Sequence, residues 1–518
     1  MKKATTIIIS VVILMILLTG SLLTGAYIGY SFSSDIKLAI GNPSTDSSIP
    51  SEVPQTSTPE LPSNHPPLPE SQSISDNENL DILFSPFWEA WNIVHDQFVD
   101  QPLDDDALIA GAIHGMIAAQ GNGISGTNGP HPVPNIDDTG TPEDFQELFI
   151  PFWNTWTSLH APDDQILMQG AITGMMDALG DQHSSYMSPD QFRQANIPME
   201  GDYEGIGAWV DPTQEYLTVV SPMPGSPAEA VGLLPGDEVI AIDGDDMTGI
   251  DGNLVIRRVL GPANSKVVLT IRREGVDEPF DVEITRARIF IPSVEHSMLE
   301  NDLGYVNVMT FGDDTTKELR IALEELLAQN PEGLILDLRN NGGGFLITAI
   351  EVASEFLSDG IIIYEEYGDG SRKTFEAFEG GLATEIPLVV LINEGTASAS
   401  EIVSGAIQDY GRAFLVGNTS FGKGSVQNWI PLENEQGAVR VTIARWLTPN
   451  ERQIHEIGLT PDYQLAMISQ AAIDAGFDPT FFELPAEQIF ILSAEDIQAD
   501  RDPQLEKAIE VLLEQINH

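Results

Sequence analysis

The sequence predicts a multidomain α/β protein, and three observations carry that prediction. Its 518 residues are more than one hydrophobic core organises. Over 289–465 strand-like apolar runs alternate with helix-like ones, the pattern of a sheet covered by helices. Ahead of this core the pattern changes twice, from helical over 79–200 to short β-like runs between turns over 201–288. A C-terminal helical appendage over 466–518 completes the order, with Leu505, Ile509, Leu512 and Ile516 at helical spacing.

Composition narrows the function before any motif is read. The chain carries 23 Lys and Arg against 79 Asp and Glu, a formal net charge of −56, which repels phosphate backbones. No nucleic acid is expected as a partner. The chain has no cysteine, which excludes disulfides, thiolate metal sites and a thiol nucleophile. Nine histidines form no His-x3-His pair, so no helical zinc site is expected.

Taken in order, residues 1–30 open with Lys2 and Lys3, and Ile7 to Ile28 runs without a charge, long enough for a bilayer core of about 30 Å. The segment reads as an uncleaved signal anchor, in preference to a cleaved signal peptide, because bulky Tyr27 follows Gly25-Ala26. The two lysines keep the N-terminus inside, so the expectation is a single-pass cell-membrane protein with its folded part extracytoplasmic. Residues 31–78 carry eight prolines between Pro43 and Pro69 and little to bury, and read as a disordered Ser/Pro-rich tether.

The helical region 79–200 contains a repeat. Pro86-Phe87-Trp88 with Trp91 returns as Pro151-Phe152-Trp153 with Trp156, and Gly111-Ala112-Ile113 with Gly115 returns as Gly170-Ala171-Ile172 with Gly174. Two copies are too few for a solenoid, so this is a duplicated helical hairpin whose aromatics pack together, with a Gly-rich loop over 121–138 between the copies.

The short runs over 201–288 predict a compact β-barrel with two helices, near Pro227–Val231 and Gly252–Val259. Gly205-Ile206-Gly207 alone is an ordinary turn. In order with Ser226-Pro227-Ala228, Gly232-Leu233, Pro235-Gly236-Asp237 and Ile242-Asp243-Gly244, it makes the module resemble a PDZ domain. The resemblance implies binding of a protein C-terminus as an added strand, with N–H groups of Gly205, Ile206 and Gly207 receiving the carboxylate.

Three segments of the core carry chemistry. Gly395-Thr396-Ala397-Ser398-Ala399-Ser400-Glu401 follows an apolar strand and opens a helix, where a serine hydroxyl suits acyl transfer. From that segment alone, a Ser398-x-x-Glu401 capping box explains the residues better. Gly422-Lys423-Gly424 uses one of only eight lysines in the chain. A lysine acts as general base when burial lowers its pKa, and the competing phosphate loop lacks its full spacing and its helix. Asp337-Leu338-Arg339-Asn340-Asn341-Gly342-Gly343-Gly344 ends a strand with glycines whose N–H groups could face an oxyanion, or simply turn.

Together with Gln408-Asp409-Tyr410-Gly411-Arg412-Ala413, Asp181-Gln182-His183-Ser184-Ser185-Tyr186-Met187, Gly458-Leu459-Thr460-Pro461-Asp462 and Asp502-Pro503-Gln504-Leu505, these segments resemble the carboxyl-terminal processing (tail-specific) peptidases. These are Ser–Lys serine proteases with a PDZ domain, and the likeness runs from about residue 80 to the end. It implies Ser398 as nucleophile, Lys423 as general base and Gln427 as the residue orienting Lys423. Ala399 and a glycine from Gly343-Gly344 would form the oxyanion hole. No cofactor and no metal are implied, the partners are protein substrates with accessible C-terminal tails, and an oligomer is possible. Gly342 stands where the family usually has Pro, and the helical hairpin is duplicated where the family has one. The expected function is a membrane-tethered endopeptidase. The alternative is a catalytically silent PDZ scaffold or adaptor.

Overall fold

The computed structural model describes residues 74–122, 149–159 and 164–517. The expected anchor over 1–30, residues 31–73 of the tether and residues 123–138 of the Gly-rich loop lie outside them. Among the described residues no helix is long and apolar enough to cross a membrane. The described chain divides into two compact units, one of residues 193–426 and 444–517, the other of 74–192 and 427–443.

In the smaller unit the helices Ile74–Gln97, Asp105–Asn122, Ile150–Leu159 and Asp164–Asp177 pack around one apolar core. The repeated glycines explain how the second and fourth meet. A Cβ on Gly111 would lie 2.3 Å from Gly174 O, and one on Gly115 would lie 1.9 Å from Gly170 O, so the two backbones touch and only glycine fits at the crossing. The repeated aromatics face each other, Phe87 against Phe152 at 5.0 Å and Trp88 against Trp153 at 6.3 Å. The turn Asp181–Ser184 leads into the strand Ser185–Met187, antiparallel to Ala438–Arg440.

In the larger unit, strands Ala208–Asp211, Leu217–Pro222, Glu238–Ile242, Lys266–Arg272 and Phe280–Thr285 form one antiparallel sheet in chain order. The expected closed barrel is corrected here. Among the described residues the last strand does not pair with the first, and the chain instead turns at Arg286 so that Ala287–Phe290 pairs with Asp202–Gly205 in a separate two-stranded ribbon. The helices Pro227–Ala230 and Gly252–Val259 contribute Ala228, Val255 and Val259 to the core of Val219, Val239, Leu269 and Ile284.

The core sheet runs Val294–Met298, Leu303–Val308, Gly333–Asp337, Leu388–Ile392, Phe414–Gly417, Tyr463–Gln464, antiparallel at the first pairing and parallel at the rest. Gly333–Asp337 and Leu388–Ile392 are buried at every residue, as parallel strands covered on both faces must be. Helices Thr315–Leu327, Leu346–Phe356 and Ala399–Asp409 cover the sheet. The helix Pro503–Ile516 is no loose appendage, because Ala508, Val511 and Leu512 join Ile335, Val389, Leu391 and Val416 in one buried cluster.

Candidate active site

Parallel strands bring their carboxyl ends to one edge of a sheet, where loops from different strands can meet. Here Gly333–Asp337, Leu388–Ile392 and Phe414–Gly417 deliver the three chemistry-bearing segments to that edge. Side chains lace them together. Asn393 Oδ1 accepts the Asn340 N–H at 2.8 Å while its amide donates to Asn340 Oδ1 at 2.9 Å. Thr396 Oγ1 donates to Leu338 O at 2.8 Å.

Ser398 sits at φ 56°, ψ −116°, immediately before the helix Ala399–Asp409. A β-carbon at positive φ costs on the order of 1–3 kcal/mol, and such strain persists only where the surroundings fix it. Asn341 does much of that fixing. Its carbonyl accepts Ala397 N at 3.0 Å and Ser400 Oγ at 2.8 Å, and its amide donates to Val308 O at 2.7 Å. Ser398 is 8% exposed and stands at a helix N-terminus, where unpaired N–H groups favour developing negative charge.

The glycine loop lies against this turn. A Cβ on Gly343 would fall 2.8 Å from Ser398 Cβ and 2.9 Å from Ala399 N, so the close approach requires glycine. The Gly343 N–H is engaged by Asn341 Oδ1 at 2.9 Å. Gly344, at φ 151°, packs on Phe311, and the neighbouring Phe345 N–H donates to Phe311 O at 2.7 Å.

Lys423 is 3% exposed, between glycines that each admit a neighbouring loop. A Cβ on Gly422 would lie 2.8 Å from Gly458 N, and one on Gly424 2.7 Å from His455 N. Trp446 Nε1 donates to Lys423 O at 3.1 Å. The centre of the arrangement is Glu401, fully buried. Its Oε2 accepts both Ser398 N at 2.8 Å and Lys423 N at 2.9 Å, and its Oε1 accepts Ser420 Oγ at 2.5 Å and Gly422 N at 2.7 Å. One oxygen thus joins the backbones of both candidate catalytic residues. Burial raises the Glu401 pKa above the ordinary carboxylate value, against the pull of the Ser420 hydroxyl and three N–H groups.

A second carboxylate cluster braces the same edge. Arg339 donates to Asp337 Oδ2 at 2.6 Å and to Asp502 Oδ2 at 2.8 Å, with a further bond to Gln504 Oε1 at 3.1 Å. Tyr305 Oη donates to Asp337 Oδ2 at 2.7 Å. Asp502 also accepts Leu505 N at 3.0 Å, capping the C-terminal helix. The Asp502-Pro503-Gln504-Leu505 segment therefore ends on the strand that carries the glycine loop.

Gln427 belongs to the other unit, where its Nε2 donates to Thr442 Oγ1 at 3.2 Å. In the first antiparallel sheet, Ile206 O accepts Ala228 N at 2.9 Å and Gly207 O accepts Met223 N at 3.0 Å. Gly207 has φ 75°, and a Cβ there would strike Ser226 Cβ at 2.4 Å. The sequence showed Glu401 only as a cap, Asn341 only as a member of the glycine segment with no role of its own, and left Asn393 without a role. The signal for Glu401 was available: a glutamate inside a nine-residue stretch, Ala399–Ile407, that is buried throughout needs several donors.

Comparison with known proteins agrees with this architecture. Residues 302–465 match the model of Peptidase family S41, and residues 218–273 match that of the PDZ domain. The chain is 42% identical over 308 residues to a carboxy-terminal-processing protease of Bartonella bacilliformis, covering 58% of this chain and 70% of that one. It is 37% identical over 316 residues to a carboxyl-terminal-processing protease of Synechocystis, covering 60% and 74%. It is also 36% identical to the carboxy-terminal processing protease CtpA of Bacillus subtilis, covering 60% and 66%. With a PDZ domain ahead of a parallel-sheet core whose buried serine opens a helix, the chain belongs to the carboxy-terminal processing proteases and is a serine-type peptidase.

Proposed function

We propose that the chain cleaves proteins by a Ser398–Lys423 dyad after its PDZ domain has engaged their C-terminal tails. The observation carrying this is the single Glu401 oxygen that accepts N–H groups from both residues. Ser398 Oγ attacks the scissile carbonyl carbon while the neutral Lys423 amine takes its proton, and the protonated lysine then passes that proton to the leaving amine. Water, deprotonated by Lys423, resolves the acyl-enzyme. Ala399 N–H and Gly344 N–H take the oxyanion, with Gly343 as the close-packed support, since its own N–H is held by Asn341. Gln427 orients Lys423 from four residues along the chain.

The tail carboxylate is received by N–H groups of the Gly205-Ile206-Gly207 loop. Supporting this, positive φ at Gly207 and its contact with Ser226 hold the loop in one shape. The uncharged run Ile7–Ile28 after two lysines supports an N-terminal membrane anchor that leaves the folded part outside the cytoplasmic membrane. Protease shaving of intact protoplasts then removes the folded part, and cytoplasmic protection overturns the anchor.

The dyad is tested by Ser398→Ala and Lys423→Ala against an unstructured protein with an apolar C-terminus. Both variants are expected to lose cleavage while keeping tail binding. Near wild-type turnover by Lys423→Ala at neutral pH overturns the dyad. Equal cleavage of free-acid and amidated substrates overturns tail reading by the PDZ loop.

A further inference from the structure

The segment Asp181-Gln182-His183-Ser184 lies 261 residues from Thr442 in sequence yet is bonded to it through a buried polar network. Asp181 Oδ2 accepts Ser184 Oγ at 2.6 Å and Thr442 Oγ1 at 2.5 Å, and Asp181 Oδ1 accepts His183 N at 3.1 Å. Ser184 Oγ in turn accepts Thr442 N at 3.0 Å. Gln427 Nε2 donates to Thr442 Oγ1 at 3.2 Å.

Counting protons gives this network a direction. A hydroxyl has one proton to donate, and both hydroxyls give theirs to the carboxylate. Thr442 Oγ1 is left able only to accept, and what it accepts is the Gln427 amide. A carboxylate can only accept, so the chain of donation runs one way, from Gln427 through Thr442 to Asp181. Two titratable groups act on that carboxylate, His183 from its own turn and Arg440 from the facing strand. Burial works against its ionisation, but the hydrogen bonds from Ser184, Thr442 and the His183 N–H outweigh it and hold Asp181 below the ordinary aspartate value. Arg440, buried beside it, is pushed down to about 10 and remains a cation at neutral pH.

A carboxamide is nearly symmetric in shape and opposite in polarity at its two ends, so its orientation must be imposed by its partners. We propose that Asp181, acting through Thr442, is a positioning residue that fixes the Gln427 carboxamide with its NH2 group toward Thr442, and so sets the orientation on which the proposed role of Gln427 depends. The inference rests on the reading of Gln427 as the residue orienting Lys423. A neutral amine donates an N–H to an acceptor oxygen and keeps its lone pair for the serine proton, whereas an NH2 group facing it would donate into that lone pair. The network removes the wrong orientation.

The test is a double-mutant cycle in the full-length protein, with kcat, KM and the pH profile of kcat measured on an unstructured substrate bearing a free C-terminus. Asp181→Asn and Thr442→Val are expected to lower kcat about 10- to 100-fold, the rate equivalent of one hydrogen bond to a charged group. KM and tail binding stay unchanged, the pH profile of kcat shifts, and Thr442→Ser retains activity. In a Gln427→Ala background, Asp181→Asn is expected to have no further effect on kcat. Losses that are fully additive in that background overturn the relay, as does unchanged kcat in Thr442→Val. If Asp181→Asn does not fold, the Thr442→Val and Thr442→Ser pair decides alone. Failure of the underlying reading looks different: Lys423→Ala or Gln427→Ala then keeps wild-type kcat by itself.

Discussion

Two buried carboxylate centres stand at the same edge of the core sheet and are built on opposite principles. Asp502 shares with Asp337 the guanidinium of Arg339, so charge is met by charge. Glu401 has one hydroxyl and three backbone N–H groups as its bonded partners, so charge is met by dipoles. Their titration differs in sign. Burial works against ionised Asp502, but Arg339 outweighs it and holds the carboxyl below its ordinary value, whereas burial wins at Glu401 and raises it. A cation beside Glu401 would stand next to Lys423, which in the proposed dyad must be neutral to act as a base. Dipoles fix the geometry of Ser398 and Lys423 without adding a positive charge, while the ion-pair cluster joins a strand to the C-terminal helix.

The ion-pair centre is most sensitive at Arg339. Arg339→Leu strands Asp337 and Asp502 without their shared cation, and removing one partner of a buried pair costs about 3–5 kcal/mol. The expected result is a large fall in the urea midpoint of unfolding, with activity lost because the glycine loop follows Arg339 directly. A midpoint within experimental error of wild type removes the cluster from any structural role.

Glu401→Gln comes next. It replaces one oxygen, which accepts two donors, by an NH2 group that faces them, at about 1–3 kcal/mol for each donor left unsatisfied. Stability falls less than for Arg339→Leu, and cleavage falls more than stability explains, because Ser398 and Lys423 are both attached there. Folded protein with undiminished turnover contradicts the shared-oxygen geometry.

Acid titration separates the centres by sign. A carboxyl lowered on folding stabilises the protein above its unfolded pKa of about 3.9, and that stability is lost as pH falls through the folded value. A carboxyl raised on folding contributes below its unfolded pKa of about 4.3, and that contribution is lost as pH rises through the folded value. Asp502→Asn is therefore expected to flatten the acid limb of a stability profile, measured by urea unfolding between about pH 2 and 5. An acid limb as steep as wild type means Asp502 gains nothing from Arg339.

The difference between these centres also marks what the sequence could reveal. The α/β core, the PDZ module and the helical region were legible because apolar periodicity and turn residues are local properties. The segments around Ser398 and Lys423 were legible as motifs, being contiguous. Glu401 was visible only as the fourth residue of a capping box, since its other donors come from a loop some twenty positions away. Arg339 and Asp502 lie 163 residues apart, and no local pattern pairs them. The barrel was misread because antiparallel strands in chain order have the same sequence signature whether or not the last pairs with the first. The glycine pairs of the duplicated hairpin were seen as a repeat, but helix contact through Gly111 and Gly174 appears only once the helices are placed.

The smallest effect is expected at Ser420. Ser420 Oγ gives its proton to Glu401 Oε1 at 2.5 Å and accepts Leu459 N at 2.7 Å. Ser420→Ala removes one of four donors and leaves the Leu459 N–H without that acceptor. If the centre is a set of neutral dipoles sharing the task, three donors still hold Glu401 in place, and the loss is that of ordinary hydrogen bonds, about 1 kcal/mol each. The expected outcome is a modest drop in unfolding midpoint with kcat reduced only a few-fold, since Ser398 N and Lys423 N stay on their common oxygen. A centre organised around a single dominant partner behaves otherwise. Should Ser420→Ala prove as damaging to stability as Arg339→Leu, Glu401 would depend on its hydroxyl as Asp502 depends on its guanidinium, and the contrast between dipole-held and charge-held carboxylates would fail.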